Sequence, residues 1–275
     1  MNSRVPACLT IGSSDSSGGA GIQGDIKAFA SVGCYAASVI VGITVQSMEG
    51  VLDRLTVPIA VVEAQLQTVC ENLAVSGLKV GTTWSVELLA RLAPHLAALR
   101  RAGVPIVVDP VMMAASGSVL AGAGEIANAV AAYLFPAGTV ITPNRREAAL
   151  LVGQREECDR RVLAEAIVKR GAAAVIISGG PEERGDWFFD GRRHEHIDGE
   201  RYGTGAEHGV GCAHSALLAG LLAQGWSLRH AAHEARQRAA TAVRDGLVHF
   251  GRSVHPVDIL RLSTRLLAPG DRARP

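Results

Sequence analysis

The chain has 275 residues, 48% of them hydrophobic and 4% aromatic, and with no low-complexity block this composition excludes intrinsic disorder. Lys and Arg total 27 against 26 Asp and Glu, so a net charge of +1 provides no bulk attraction to nucleic acid or to an anionic membrane. Five scattered cysteines (Cys8, Cys34, Cys70, Cys158, Cys212) with no CxxC pair suit neither a disulfide framework nor a zinc site.

From the N-terminus, a β-branched run predicts a strand over 7–12, followed by a helix presenting Ile22, Ile26 and Phe29 on one face. A strand over 38–45 precedes a helix with Val62, Leu66, Val69 and Leu73 in register. A strand over 77–81 then leads into a helix over 84–102, which Pro94 should kink or split. Further strands are expected over 105–109, 139–142 and 174–178. Two-residue alternation over 186–197 reads as a hairpin or flap, and three helices follow over 211–224, 227–245 and 257–267. The polar tail 269–275 should fray, leaving 1–268 as one domain without a linker. Strands alternating with helices imply βαβ units around a buried, mainly parallel sheet. The apolar runs, such as 36–45, are too short to span a bilayer and no secretory signal opens the chain, so a cytoplasmic location is expected.

In open parallel sheets ligands bind beyond the carboxyl ends of the strands. The residues there are polar and glycine-rich: Ser13 to Asp25 after the first strand, Gln46 after the second, Asp109-Pro110 after the fourth, Pro143-Asn144 with Glu147 after the fifth, and Gly179-Gly180 after the sixth. Gly19, Gly21 and Gly24 satisfy the GxGxxG dinucleotide spacing. That fingerprint wants its first glycine directly off the strand, however, and an acidic residue where this chain has Gln46. Close helix packing is the other reading of these glycines.

A second cluster, Gly209-Val210-Gly211-Cys212, opens a leucine-rich helix. Glycines at a helix start let backbone N–H groups converge on an anion, and a thiol there should have a lowered pKa, making Cys212 a candidate proton acceptor. Its other reading is a small buried hydrophobe. Asn144-x-x-Glu147 suits a water-mediated magnesium ion or, equally in pattern, ordinary helix capping. Asp109, ending an apolar strand, must face a cleft or a buried partner. His208 is placed to contact a phosphate.

Residues 10–27, TIGSSDSSGGAGIQGDIK, together with Gln46, Val108-Asp109-Pro110-Val111-Met112, Thr142-Pro143-Asn144-x-x-Glu147-Ala148 and His208-Gly209-Val210-Gly211-Cys212, resemble the hydroxymethylpyrimidine and phosphomethylpyrimidine kinases of thiamine biosynthesis. These belong to the ribokinase-like superfamily, and the match runs in order through nearly the whole chain. The resemblance implies an α/β fold, a ribokinase-like three-layer α/β/α with a mainly parallel central sheet and no separate lid domain, as a homodimer. It implies ATP and Mg2+ as phosphoryl donor and a small pyrimidine methanol as acceptor, its monophosphate being a second acceptor left open. It assigns Cys212, Gly209 and Gly211 to catalysis. Ser13, Gly21, Asp25, Gln46 and Thr82 fall to the acceptor; Asn144, Ser178, Gly180, Thr204 and His208 to the nucleotide; Asp109 and Glu147 to the metal.

The chain departs from the family pattern at Ser13 (commonly glycine), Thr82 (methionine), Ala115 (lysine), Ser178 (lysine) and Pro181 (histidine). With only Lys27, Lys79 and Lys169 in the chain, phosphate charge must be met by arginine, metal or backbone. Two alternatives stand beside the pyrimidine kinase: a pyridoxal kinase of the same superfamily, and a catalytically silent ligand-binding paralogue.

Overall fold

The structure, a computed structural model, describes residues 4–112, 122–179 and 184–265. Nine strands form one sheet: β1 (Ala7–Asp15), β2 (Tyr35–Gln46), β3 (Val51–Thr56), β4 (Val75–Val80), β5 (Ile106–Val108), β6 (Val140–Ile141), β7 (Ala174–Ile177), β8 (Asp186–Phe189) and β9 (His194–Ile197). The spatial order is β3-β2-β1-β4-β5-β6-β7-β8-β9. Strands β2, β1, β4, β5, β6 and β7 run parallel, while β3 at one edge and the β8–β9 hairpin at the other are antiparallel.

The six expected parallel strands are all present because each is covered on both faces. Leu9, Ile106, Val108, Val175 and Ile177 point into one core layer; Cys8, Val107, Ala174 and Ile176 alternate into the other. Helices α2 (Ile59–Asn72), α3 (Val86–Arg101), α4 (Ala123–Tyr133), α5 (Arg145–Val152) and α6 (Arg160–Lys169) cover the first face. Helices α1 (Gly21–Ser31), α7 (Val210–Ala223) and α8 (Leu228–Arg244) cover the second. α7 is apolar all round because it lies between α1, α8 and the sheet, with every residue from Ala213 to Leu221 buried.

Three expectations need correction. α3 is not split at Pro94, which lies on the exposed side while Leu88, Leu89, Leu92 and Leu96 hold the helix to the core. Within the described residues the expected helix over 257–267 shrinks to α9 (Leu262–Arg265). Val257 and Ile259 are apolar because they dock against α7 and α8, and Asp258 accepts the Leu262 and Ser263 N–H groups at 2.7 and 2.8 Å, fixing where the turn begins. Strand β3 was not expected, and all six of its residues are exposed. Among the described residues no helix is long and apolar enough to cross a membrane. The tail 269–275 lies outside the described residues.

Candidate active site

The parallel strands bring Ser13, Gln46, Thr82, Asp109, Asn144 and Ser178 to one rim, and α7 begins beside it. The segment after β1 wraps around a single carboxylate. Asp15 is 2% exposed and accepts the Ser17 N–H (2.8 Å), the Ser17 hydroxyl (2.7 Å) and the Ala20 N–H (2.8 Å), with His208 Nε2 at 3.1 Å. Burial opposes the charge, but these donors prevail and hold Asp15 below the ordinary carboxylate value.

The glycines allow this loop to meet α7. A Cβ at Gly19 would land on the His208 ring, and one at Gly209, whose φ is +84°, would land on the Gly19 carbonyl oxygen. Gly24 packs against Gly19 in turn. Gly19, Gly21 and Gly24 thus act through close approach, and the dinucleotide reading has no support in their surroundings. Gly209 is the N-cap of α7 and supplies no side chain, so the helix start keeps its backbone donors for something else, with Gly211 exposed.

Behind that helix start lies a buried charged group. Lys79, 1% exposed near the end of β4, donates to Asp25 Oδ1 at 2.6 Å and sits 3.7 Å from Asp109 Oδ2. Thr10 takes the other oxygen of Asp25 at 2.6 Å, and Ser215 on α7 donates to Asp109 Oδ2 at 2.9 Å. Asp25 therefore faces Thr10 and Lys79 in this structure, with both carboxylate oxygens partnered. Burial lifts Asp25 above its ordinary value, partly offset by Lys79. Burial also works against the Lys79 ammonium, but its neighbours, Asp25 first, together outweigh it and the ammonium is held firmly charged.

Cys212, half-buried in the first turn of α7, borders this group, and the Gly21 N–H reaches its sulfur. The expectation of a lowered thiol pKa is overturned. Burial pushes Cys212 up to about 12; Lys79 and the Gly21 N–H pull it down, while Asp109 and Asp25 push it further up. In the ligand-free molecule the thiol is protonated at neutral pH.

On the far side of the rim, Asn144 and Glu147 form a capping box for α5. Asn144 Oδ1 accepts the Glu147 N–H at 2.9 Å, and Glu147 Oε2 accepts the Asn144 N–H at 3.0 Å. Glu147 Oε1 also accepts the Met112 N–H at 3.0 Å, tying the segment after β5 to α5. Among the described residues no three His, Cys, Asp or Glu side chains converge as a metal cage. Ser178 lies beside Asn144 in an isolated bridge and donates its N–H to the Pro143 carbonyl. Thr204 donates to the Val243 carbonyl at 2.8 Å, pinning its loop to α8. Gly180, Pro181 and Ala115 lie outside the described residues.

Gln46 ends β2 half-buried. Its Oε1 accepts the Thr44 hydroxyl at 3.0 Å, and its backbone exchanges two hydrogen bonds with the Ser16 hydroxyl, at 2.8 and 2.9 Å. Ser13 is buried at a β1 bulge and Thr82 is half-buried just past β4. Beside Gln46 opens a cavity of about 640 Å³ between the β2–β3 turn and residues 251–253. Sequence reasoning missed Lys79 and Asp15; a lysine within an otherwise apolar, doubly covered strand was the available signal for the first.

Comparison with known proteins agrees with this geometry. The chain is 40% identical over 257 residues to the hydroxymethylpyrimidine/phosphomethylpyrimidine kinase of Rhizobium meliloti (strain 1021), covering 90% of this chain and 95% of that protein. The pyridoxal kinase from Staphylococcus aureus in complex with AMP-PCP superposes with a TM-score of 0.82 at 30% identity, over 93% of this chain and 94% of that one. The phosphomethylpyrimidine kinase from Clostridium difficile 630 gives 0.72 at 29% identity, over 85% and 96%. The family model described as phosphomethylpyrimidine kinase matches residues 15–258. With a ribokinase-like sheet, an uncapped helix start at its rim and this match through most of its length, the chain belongs to the phosphomethylpyrimidine kinase family and is an ATP-dependent kinase.

Proposed function

We propose that the chain transfers the γ-phosphoryl group of magnesium-bound ATP to the hydroxymethyl oxygen of 4-amino-5-hydroxymethyl-2-methylpyrimidine, in thiamine biosynthesis or salvage. The observation that carries this reading is the start of α7, which has no side-chain cap, faces the rim and sits against the buried Lys79–Asp25 pair. Phosphoryl transfer is mainly positioning plus charge stabilisation. Backbone N–H groups at Gly211 and Cys212, with the helix dipole behind them, suit the γ-phosphoryl oxygens. Magnesium arrives with the nucleotide as part of the substrate; Asp109 is the rim carboxylate nearest α7, through Ser215. The acceptor ring falls to the Ser13, Gln46 and Thr82 side, with its hydroxyl toward Cys212. Lys79 keeps Asp25 and Asp109 from presenting two uncompensated carboxylates to the incoming phosphates.

The proton of the acceptor hydroxyl falls to Cys212. Its thiolate is scarce in the ligand-free molecule, and the fixed ammonium of Lys79 is the local charge that favours it. Incubation with ATP, Mg2+ and the pyrimidine alcohol should release one ADP per phosphorylated product; no turnover on any pyrimidine or pyridine methanol refutes the reading. A second reading, pyridoxal as acceptor, is favoured by the likeness to the Staphylococcus aureus pyridoxal kinase and by Ser13 and Thr82 in the ring pocket. The ratio of kcat/KM for the two alcohols decides between them.

We also propose a cytoplasmic homodimer. A strand exposed along its whole length, with Leu52 at 80% and Leu55 at 66%, supports a covering partner, because an edge of that kind invites association. Sedimentation at micromolar concentration tests the dimer.

A further inference from the structure

The ring of His208 is turned onto the loop that follows β1. Its Nε2 lies 3.1 Å from Asp15 Oδ2 and 3.2 Å from the Ser17 hydroxyl, and the side chains of His208 and Asp15 are each 2% exposed. The main chain of His208 is held as well: its N–H donates to the His255 carbonyl at 3.1 Å, and its carbonyl accepts the Val257 N–H at 3.2 Å.

These bonds belong to a closed circuit. From Asp15 the chain passes to Ser16, whose hydroxyl is bonded twice to the Gln46 backbone. Three residues beyond Gln46, Glu49 Oε1 accepts the N–H groups of Arg252 and Ser253 at 3.2 and 3.3 Å. From Ser253 the chain leads to His255, which is bonded to His208, and His208 returns to Asp15. The circuit rims the cavity of about 640 Å³, whose walls include Ser17, Met48, Glu49 and Arg252. Its one link made between two buried side chains is His208 to Asp15. A ring proton on Nε2 donating to Asp15 makes that link charge-assisted and strong.

We infer that His208, acting through Asp15, is a positioning residue for the acceptor alcohol: it locks the glycine loop 16–20 and the Gln46 end of β2 into one frame at the cavity mouth, and takes no part in holding ATP. The inference rests on the kinase reading above and moves His208 from the nucleotide to the acceptor. Without the imidazole, Asp15 keeps its Ser17 and Ala20 donors but loses its tie to the segment that leads into α7. The loop then shifts relative to the helix start where transfer occurs, and misplacement of the acceptor costs far more than its size suggests.

Two measurements on the whole chain test this. In amide hydrogen exchange of the ligand-free protein, His208→Ala should speed exchange at Ser17 and Ala20, while His208→Gln, which keeps an N–H donor, restores much of the protection. In steady-state kinetics, His208→Ala should raise the acceptor KM about tenfold and leave the ATP KM within about twofold, with His208→Gln in between. Unchanged exchange in His208→Ala overturns the inference. So does a raised ATP KM with an unmoved acceptor KM, and so does an equal loss in the Ala and Gln variants. If His208→Ala does not fold, Asp15→Asn replaces it: faster exchange at Ser17 and Ala20 with a raised acceptor KM supports the link, and wild-type values overturn it. If the wild type phosphorylates no pyrimidine or pyridine methanol, the kinase reading fails, and the exchange arm alone still decides the link.

Discussion

Replacing Cys212 by alanine separates a base from a wall of the anion hole. Burial takes the thiol from its ordinary 9.0 to about 12, so on the order of one molecule in 10⁵ carries a thiolate at pH 7. If that thiolate accepts the alcohol proton, the first phosphorylation should climb about tenfold per pH unit from pH 7 to 9. The Ala variant should lose this slope and slow the step by roughly 10²–10⁴-fold. A monophosphate acceptor is already ionised near neutral pH and needs no base. Where the chain also catalyses that second step, Cys212→Ala should slow it far less. The assay is ADP release, coupled or by mass spectrometry, with each acceptor in turn across the pH series. Equal losses for both acceptors, or a flat pH dependence in the wild type, would refute the base and leave Cys212 as a shaping residue.

Lys79→Met leaves Asp25 and Asp109 buried without their cation and should cost about 3–5 kcal/mol, read as a lowered urea midpoint; a midpoint near wild type contradicts the ion-pair account. His214, buried 3.4 Å from Asp186, is held by burial below its ordinary 6.5, with Asp186 partly opposing. The unfolded chain therefore takes up the proton first as pH falls, and stability present above about 6.5 is lost below it, by at most about 1.4 kcal/mol per pH unit. His214→Phe should flatten the urea midpoint between pH 7.5 and 5.5, and an unchanged slope rejects this assignment. Glu147→Gln weakens a capping box and should cost about 1 kcal/mol of stability with little change in the Mg2+ needed for half-maximal rate; a large rise in that requirement would return Glu147 to the metal.

The parts of the fold that could be read in advance are those where burial writes a pattern. The six parallel strands are apolar because helices cover both faces, and the rim residues follow from the strand ends. β3 left no such trace, since a fully exposed strand has no inward face to alternate with. Val257 and Ile259 mimicked a helical stripe because apolar residues that dock an extended segment look the same at short range. In the site, the Gly-Val-Gly-Cys turn was legible as the start of a helix without a side-chain cap, because its glycines supply none. The thiol's acidity was not, since it depends first on burial and then on Lys79, Asp109 and Asp25 arriving from distant parts of the chain. The Lys79–Asp25 pair left no local sign either, since its two members lie 54 positions apart in the chain.

The most direct test is a crystal structure with a non-hydrolysable ATP analogue and the pyrimidine alcohol bound together. The terminal phosphate should lie on the N–H groups at the start of α7, with the alcohol oxygen between that phosphate and the Cys212 sulfur. A phosphate seated elsewhere on the rim, or an alcohol facing away from Cys212, would contradict this placement.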